Sequence, residues 1–261
     1  MSLNDCFTSS ITTLNLDNNC IGDKGAKYLA DALRENEALT TLNLKKNNIG
    51  VQGAQCLVNA LIENKTLITL DLSDNNIGSQ GAQSLATALK KNKTLITLNL
   101  EYNWIDSKGL ESLSNALKRN KTLTTLNLKS NSFEDYGAQH LASALQKNKT
   151  LTILNFTGLR IDDERAKYLA NILQGNKTLI TLNLGITNIG PEGISYLSNA
   201  LKENKTLTTL DIQRNNIGTS GAQHIASLLQ ENEALITLDL TSTSIDSQGA
   251  SYLFNALKEN K

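Results

Sequence analysis

The sequence predicts an α/β solenoid: a horseshoe of nine 28-residue strand-turn-helix units, with a parallel sheet on the concave side and helices on the convex side. Three observations carry this. A leucine restarts the pattern at Leu39, Leu67, Leu95, Leu123, Leu151, Leu179, Leu207 and Leu235, and Ile11 stands one period before the first. Within each unit, apolar residues first alternate as in a half-buried strand and then recur at helical spacing. The two segments keep the same order throughout, so successive strands run the same way. Strands sit ~4.8 Å apart and packed helices ~8–10 Å apart, so the stack must curve with its strands inside.

The unit Leu67–Thr94 shows each element. Leucines at the first, fourth and sixth positions (Leu67, Leu70, Leu72) make TLDLS a short strand, with Leu70 and Leu72 inward and Thr69, Asp71 and Ser73 outward. At the ninth position stand Asn19, Asn47, Asn75, Asn103 and Asn131, expected as a buried ladder that bonds backbone groups left over where the strand turns away. The ladder breaks at Leu159, and Thr187 and Thr243 replace it later. The thirteenth position is Asp23, Ser79, Ser107, Asp135, Asp163, Thr219 or Ser247 in seven units, residue types that cap helix amides, and Pro191 suits a first helical turn. Ala82, Leu85, Ala88 and Leu89 form the helix stripe that packs inward. All nine units carry Asn at the twenty-sixth position, from Asn36 to Asn260, expected as a left-handed helix C-cap. Unit six departs from the pattern at Phe156, Leu159 and Arg165, which predicts a local distortion.

The expected domain plan is a short N-terminal cap or tail over residues 1–10, packing through Leu3 and Phe7, and a single solenoid domain over 11–261. The last unit stops one residue short of its period with no polar cap, which implies either a fragment or a flank covered by a partner or a second copy. Twenty-five basic and twenty-five acidic residues cancel, and aromatics are few, so no nucleic-acid footprint is visible. No apolar run is long enough to span a bilayer, and no signal-peptide core lies near Met1. Asn-Lys-Thr recurs as a glycosylation sequon at Asn64, Asn92, Asn120, Asn148, Asn176 and Asn204, but the repeating cap explains it. Cys6, Cys20 and Cys56 are odd in number and lack metal-ligand spacing, so they read as free thiols of a cytoplasmic protein.

LxxLxLxxNxIGxxGAxxLxxALxxN, as in Leu39 to Asn64, resembles the leucine-rich repeat of the ribonuclease-inhibitor-like class, and the resemblance covers residues 11–261. It implies a right-handed leucine-rich-repeat solenoid. Similar repeats occur in Ran GTPase-activating proteins, in the sensor regions of NOD-like receptors and in effectors that intracellular bacteria deliver into host cytoplasm. These relatives do different work on one scaffold, so the function must come from the site.

The nine units act as internal replicates, and outward positions separate into two kinds. The third is Thr in eight units and the fifth is always Asn or Asp, which reads as generic strand-surface chemistry. The seventh, eighth and tenth change freely along one rim, as a recognition surface requires. One cluster there is Tyr102 and Trp104 beside Glu101, Lys129 and Tyr136, with the chain's only Trp as an interface anchor, and Lys45 and Lys46 are partner-binding candidates on the same rim. A second gathers Ile153, Thr157, Gly158, Gly185 and Ile186, and Arg160 and Arg214 are the rim arginines.

Catalytic chemistry finds no support. His140 and His224 share the eighteenth position, three units and more than ~14 Å apart, and cannot hold one metal. The recurrent glycines are turn residues, not a phosphate cradle. The expectation is therefore a non-catalytic module without cofactor or metal that binds a protein, with no nucleic-acid or membrane partner. It is expected to be a monomer, with end-to-end self-association through the last unit as the route to larger species. The alternatives are a small-GTPase activator using Arg160 or Arg214, as the resemblance allows, and the sensing or targeting region of a larger protein.

Overall fold

The computed structural model describes residues 11–132 and 137–260. Among them, strand and helix alternate nine times. The first units are β1 (Thr13–Asn15), α1 (Gly22–Glu35), β2 (Thr41–Asn43), α2 (Val51–Glu63), β3 (Thr69–Asp71) and α3 (Gly78–Leu89). The middle units are β4 (Thr97–Asn99), α4 (Ser107–Leu117), β5 (Thr125–Asn127), α5 (Gly137–Lys147), β6 (Ile153–Asn155) and α6 (Asp163–Leu173). The last are β7 (Thr181–Asn183), α7 (Pro191–Lys202), β8 (Thr209–Asp211), α8 (Gly218–Glu231), β9 (Thr237–Asp239) and α9 (Ser247–Glu259). The strands form one parallel sheet in chain order, each residue opposite its equivalent in the next unit, as Leu70 opposite Leu98. The expected cap or tail over residues 1–10 lies outside the described residues.

The strands are shorter than expected, but their ladder continues past them: the Leu72 amide donates to the Asn99 carbonyl at 2.9 Å and that of Asp74 to Glu101 at 2.8 Å. The eighth residue then turns the chain away. From Asn18 through Tyr102, Ile186 and Arg214 to Ser242, that residue has a positive φ in every unit. Below the sheet, Leu67, Leu70, Leu72 and Ile77 meet Ala82, Leu85, Ala88 and Leu89 of α3 in a fully buried layer. Each buried leucine contributes ~1.5–3 kcal/mol, and stacking makes the layers one continuous core.

Helices approach closely where a glycine stands at the fifteenth position. A Cβ on Gly53 would lie 2.7 Å from the Ile49 side chain and 3.1 Å from Ala26 Cβ. Unit six puts Arg165 in this place, its guanidinium paired with Asp162. The distortion expected there does not reach the sheet, since Leu154 pairs in register with Leu126 and Leu182.

Two expectations about caps are corrected. The twenty-sixth asparagines are not left-handed: Asn64 has φ −64° and ψ 136°, and Asn232 has −86° and 126°. Their work is done by the side chain. Asn64 Nδ2 donates to the Leu33 carbonyl of the preceding helix at 2.8 Å, while its Oδ1 accepts from the Thr66 and Leu67 amides at 3.0 and 2.7 Å. An amide so engaged, 4% exposed, offers nothing to a glycosyltransferase. Thirteenth residues such as Asp23 and Asp163, in turn, serve the next unit rather than their own helices. Asp23 accepts from the Gly50 and Gly53 amides of the next unit at 2.7 and 2.9 Å, and Asp163 from Gly190 at 2.6 Å. Helices α4, α6 and α9 are instead capped from within by an Asp at the twelfth position, as Asp106 accepts from the Lys108 and Gly109 amides at 2.8 and 3.0 Å. One period of sequence conceals whether a side chain serves its own helix or its neighbour's.

The ninth-position ladder is as expected from Asn47 to Asn131, whereas Asn19 is exposed and bonds only its own unit. Asn75 is buried; its Nδ2 donates to the Leu44, Leu72 and Ser73 carbonyls, and its Oδ1 accepts from the Asn47 and Ile49 amides.

Candidate functional site

The variable rim rests on a support that the sequence reading treated as generic. The fifth-position side chain accepts the amide of the seventh residue, as Asn43 does from Lys45 at 3.0 Å, Asn99 from Glu101 at 3.1 Å and Asp211 from Gln213 at 2.9 Å. Asn and Asp bond their own backbone two residues on in this way, more strongly than Ser or Thr do. That preference explains why the row never varies.

Above this support the three variable positions differ in exposure. The seventh forms a half-buried floor: Glu101 and Lys129 pair at 3.0 Å, and Asn127 donates to the same carboxylate at 3.1 Å. Lys45 is half-buried beside them in chain order. Ser73, expected to face outward, is buried, its hydroxyl donating to Asp71 at 2.6 Å. The eighth and tenth positions stand in solvent, Tyr102 52% and Trp104 72% exposed. Trp104 therefore does not fold back over its loop. Lys46 is exposed 4.0 Å from Asp74, a rim acid that the sequence reading passed over although it follows Ser73 at the same variable position. Tyr136 lies outside the described residues.

The second predicted cluster divides. Gly158 and Ile186 occupy the eighth position of adjacent units, and Ile186 is 46% exposed with φ 56°, a backbone region costly for a β-branched residue. Thr157 and Gly185 are buried. Ile153 is exposed but at the third position, five residues earlier along its strand and ~16 Å away. Arg160 and Arg214 are both exposed, two units apart, with no carboxylate partner among the described residues.

The tenth position has two backbone forms, which in units two to four and seven to nine go with the thirteenth residue of the preceding unit. In units two, four, seven and nine the tenth residue is left-handed (Asn48, Trp104, Asn188, Ser244). There the preceding thirteenth side chain bonds the twelfth residue, as Asp23 to Gly50, Ser79 to Asp106 and Asp163 to Gly190. Thr219 bonds the Asp246 carboxylate in the same place. Units three and eight follow Val51 and Pro191, which offer no side-chain polar atom. Their twelfth residue, like Gly22 of unit one, is a left-handed glycine whose amide turns the other way: Gly78 donates to the Asn103 carbonyl at 2.9 Å and Gly218 to Thr243 at 3.1 Å. Trp104 takes the left-handed form in the unit whose twelfth residue is bonded by Ser79.

Two carboxyls near the C-terminal end are held by local hydrogen bonds. The Gly249 amide, then the Thr219 hydroxyl, holds the Asp246 carboxyl below the usual carboxylate range, and the Thr241 hydroxyl and amide do so for Asp239. His140 and His224 lie half-exposed on α5 and α8. Among the described residues no group of three His, Cys, Asp or Glu is placed to hold a metal. Among them also, no helix is long and apolar enough to cross a membrane.

With this geometry in place, comparison with known proteins defines the class. The family profile described as Leucine Rich repeat matches residues 9–30, 35–58, 63–86, 91–114 and 119–142. That described as the TMOD/LMOD Leucine-rich domain matches residues 131–253. The chain is a leucine-rich-repeat protein. Among solved structures it is similar to the leiomodin-1 actin-binding site 2, with 24% identity and a TM-score of 0.50 over 56% of this chain and 86% of that one. It is also similar to the tropomodulin C-terminal domain of Caenorhabditis elegans, with 17% identity and a TM-score of 0.48 over 58% and 92%. These likenesses concern the fold. No curated protein matches the chain.

Proposed function

We propose that the chain is a non-catalytic module that binds a folded protein on the concave sheet and the rim at its strands' C-terminal ends. One observation carries the reading: rows that build the scaffold repeat in unit after unit, while the seventh, eighth and tenth positions differ along a single rim. Tyr102 and Trp104 are the anchors, because exposed aromatic side chains supply much of the energy of protein interfaces. The Glu101–Lys129 pair and Lys45 and Lys46 set orientation, contributing more to encounter than to affinity. Within this reading the repeats are of the ribonuclease-inhibitor-like class and the protein is a cytoplasmic monomer, in its own cell or, as an effector, in a host's. The leiomodin-1 structure is named for an actin-binding site, so monomeric actin is the first partner to try.

A pull-down with the wild-type chain, actin included among the candidates, supplies a partner for titration. Tyr102→Ala and Trp104→Ala should each weaken binding by ~2 kcal/mol, about thirtyfold, with the melting temperature unchanged. Gln83→Ala and Glu111→Ala, exposed on α3 and α4, serve as controls. Loss of binding in the control pair with the aromatic pair intact would move the partner to the convex side. A GTPase activator is the second reading, favoured by two unpaired rim arginines; Arg160→Ala and Arg214→Ala would then abolish accelerated GTP hydrolysis across a small-GTPase panel.

A further inference from the structure

The balanced charge of the whole chain hides a segregation. At the edge opposite the rim, where helices end and strands begin, positions 24, 25 and 27 of each unit lie around the buried Asn of the turn. In units three and four these are Lys90, Lys91, Lys93, Lys118, Arg119 and Lys121, and unit five continues with Lys147 and Lys149. Between Glu63 and Glu203 no acidic residue occupies any of these places. Toward the ends the same places hold acids, and three of the basic residues there are paired with them: Arg34 with Glu63 at 2.8 Å, Lys202 with Glu231 at 2.6 Å and Lys205 with Glu233 at 3.2 Å, while Lys258 reaches only the Asn255 side-chain oxygen. In the middle, Lys118 reaches only the Asn115 side-chain oxygen and Lys149 only a carbonyl. A helix C-terminus favours cations. That does not explain the belt, because Glu35, Glu63, Glu231 and Glu259 stand at the same place in other units.

The belt has an apolar border. Ile68 and Ile96 follow directly on the turns that carry Lys65 and Lys93, and they are 40% and 39% exposed. Cations in a line one turn wide, edged by isoleucines, match a linear ligand of opposite charge with a few apolar residues. Single-stranded nucleic acid would want aromatic platforms, and no aromatic residue stands at the first three or last five positions of units three to five. An anionic bilayer is planar and would press on the acidic ends of this same edge as well as on its basic centre.

We infer that this edge is a second interaction surface and that it takes an acidic, partly apolar segment of a protein. It is independent of the rim, so the two are testable apart. The probe is a fluorescent peptide of repeated Glu-Glu-Leu titrated with the full chain in low and physiological salt. Oligothymidylate and vesicles of mixed phosphatidylserine and phosphatidylcholine are titrated in parallel. The peptide should bind, and lose affinity steeply as salt rises. Lys91→Glu with Lys93→Glu, or Arg119→Glu with Lys121→Glu, should weaken it at least about tenfold. Ile68→Ser with Ile96→Ser should weaken it severalfold without changing the salt dependence, and Tyr102→Ala with Trp104→Ala should leave it unchanged. Lys→Ala versions and melting curves separate any folding defect from lost binding. The inference is overturned if the peptide does not bind in low salt or is indifferent to the lysine variants. It is overturned equally if oligothymidylate or vesicles bind more tightly through these lysines.

Discussion

In unit three the ninth residue is Asn75, 3% exposed, with five hydrogen bonds, three of which tie its turn to the unit before. In unit six the same place holds Leu159, also 3% exposed, which joins the hydrophobic core beside Phe156. One unit on, where Thr187 replaces the Asn that would accept from the unit before, the backbone accepts instead: the Ile161 amide donates to the Thr187 carbonyl at 2.8 Å. Strand register is the same on either side. The difference teaches that the sheet and the leucine layers set the stack, while the turn under the rim can be held by polar or by apolar means. A rim whose supports are interchangeable is free to vary.

The largest expected effect tests the apolar solution. Leu159→Ala should open a cavity in a fully packed layer and cost about 2–5 kcal/mol in urea melts. A cost under about 1 kcal/mol would mean that the leucine merely fills space that the chain can close. Asn75→Ala comes next, at about 1–3 kcal/mol, because it leaves the Asn47 and Ile49 amides without an acceptor in a buried place. Asn75→Leu should be no better, since the Asn47 and Ile49 amides would still lack their acceptor. If Asn75→Leu proves neutral, the two solutions are interchangeable at any unit, and the comparison loses its local cause.

Much of this was legible in the sequence, and what was missed has one origin. Strand, helix, parallel order and the core residues followed from periodicity, because burial in a repeat is fixed by position within the unit. Hydrogen bonds are not. Asp23 looks like the cap of α1 and serves α2, and Asn64 looks like a backbone cap and works by its side chain. A perfect repeat makes within-unit and between-unit partners read alike. For the candidate site, the exposure of Tyr102, Trp104 and Ile186 was readable from alternation, and the support from the fifth-position row was readable from its invariance as Asn or Asp. The separation of Ile153 from Gly158 follows from strand rise. The association of Trp104's left-handed form with Ser79 was not readable, since it turns on the direction of one amide.

That association gives a smaller and sharper prediction. Val51→Asp should supply unit three with the acceptor that Asp23 gives unit two, turning Gly78 from φ 58° to the extended form. The gain should be about 0.5–1 kcal/mol. Gly78→Ala is the reporter: it should cost about 1 kcal/mol in the wild type, where the position is left-handed, and almost nothing beside Asp at 51. Additive effects in this cycle would show that the neighbouring side chain does not choose the loop form.

The smallest effect concerns acid, and it separates units capped from within from those capped across. Burial opposes ionisation of Asp106, but the Ser79 hydroxyl and then the Gly109 and Lys108 amides outweigh it and hold the carboxyl below the ordinary carboxylate value. A carboxylate with a lower pKa in the folded than in the unfolded chain stabilises the fold above its unfolded pKa of about 4, and the contribution disappears as pH falls through the folded value. Asp106→Asn keeps an acceptor for the amides but cannot titrate. Between pH 5 and pH 2.5 the wild type should therefore lose about 1 °C more in melting temperature than Asp106→Asn, all other carboxylates being common to both. Parallel curves would mean that the Ser79 and amide bonds hold Asp106 no more tightly when it is ionised, and that this cap works through geometry alone.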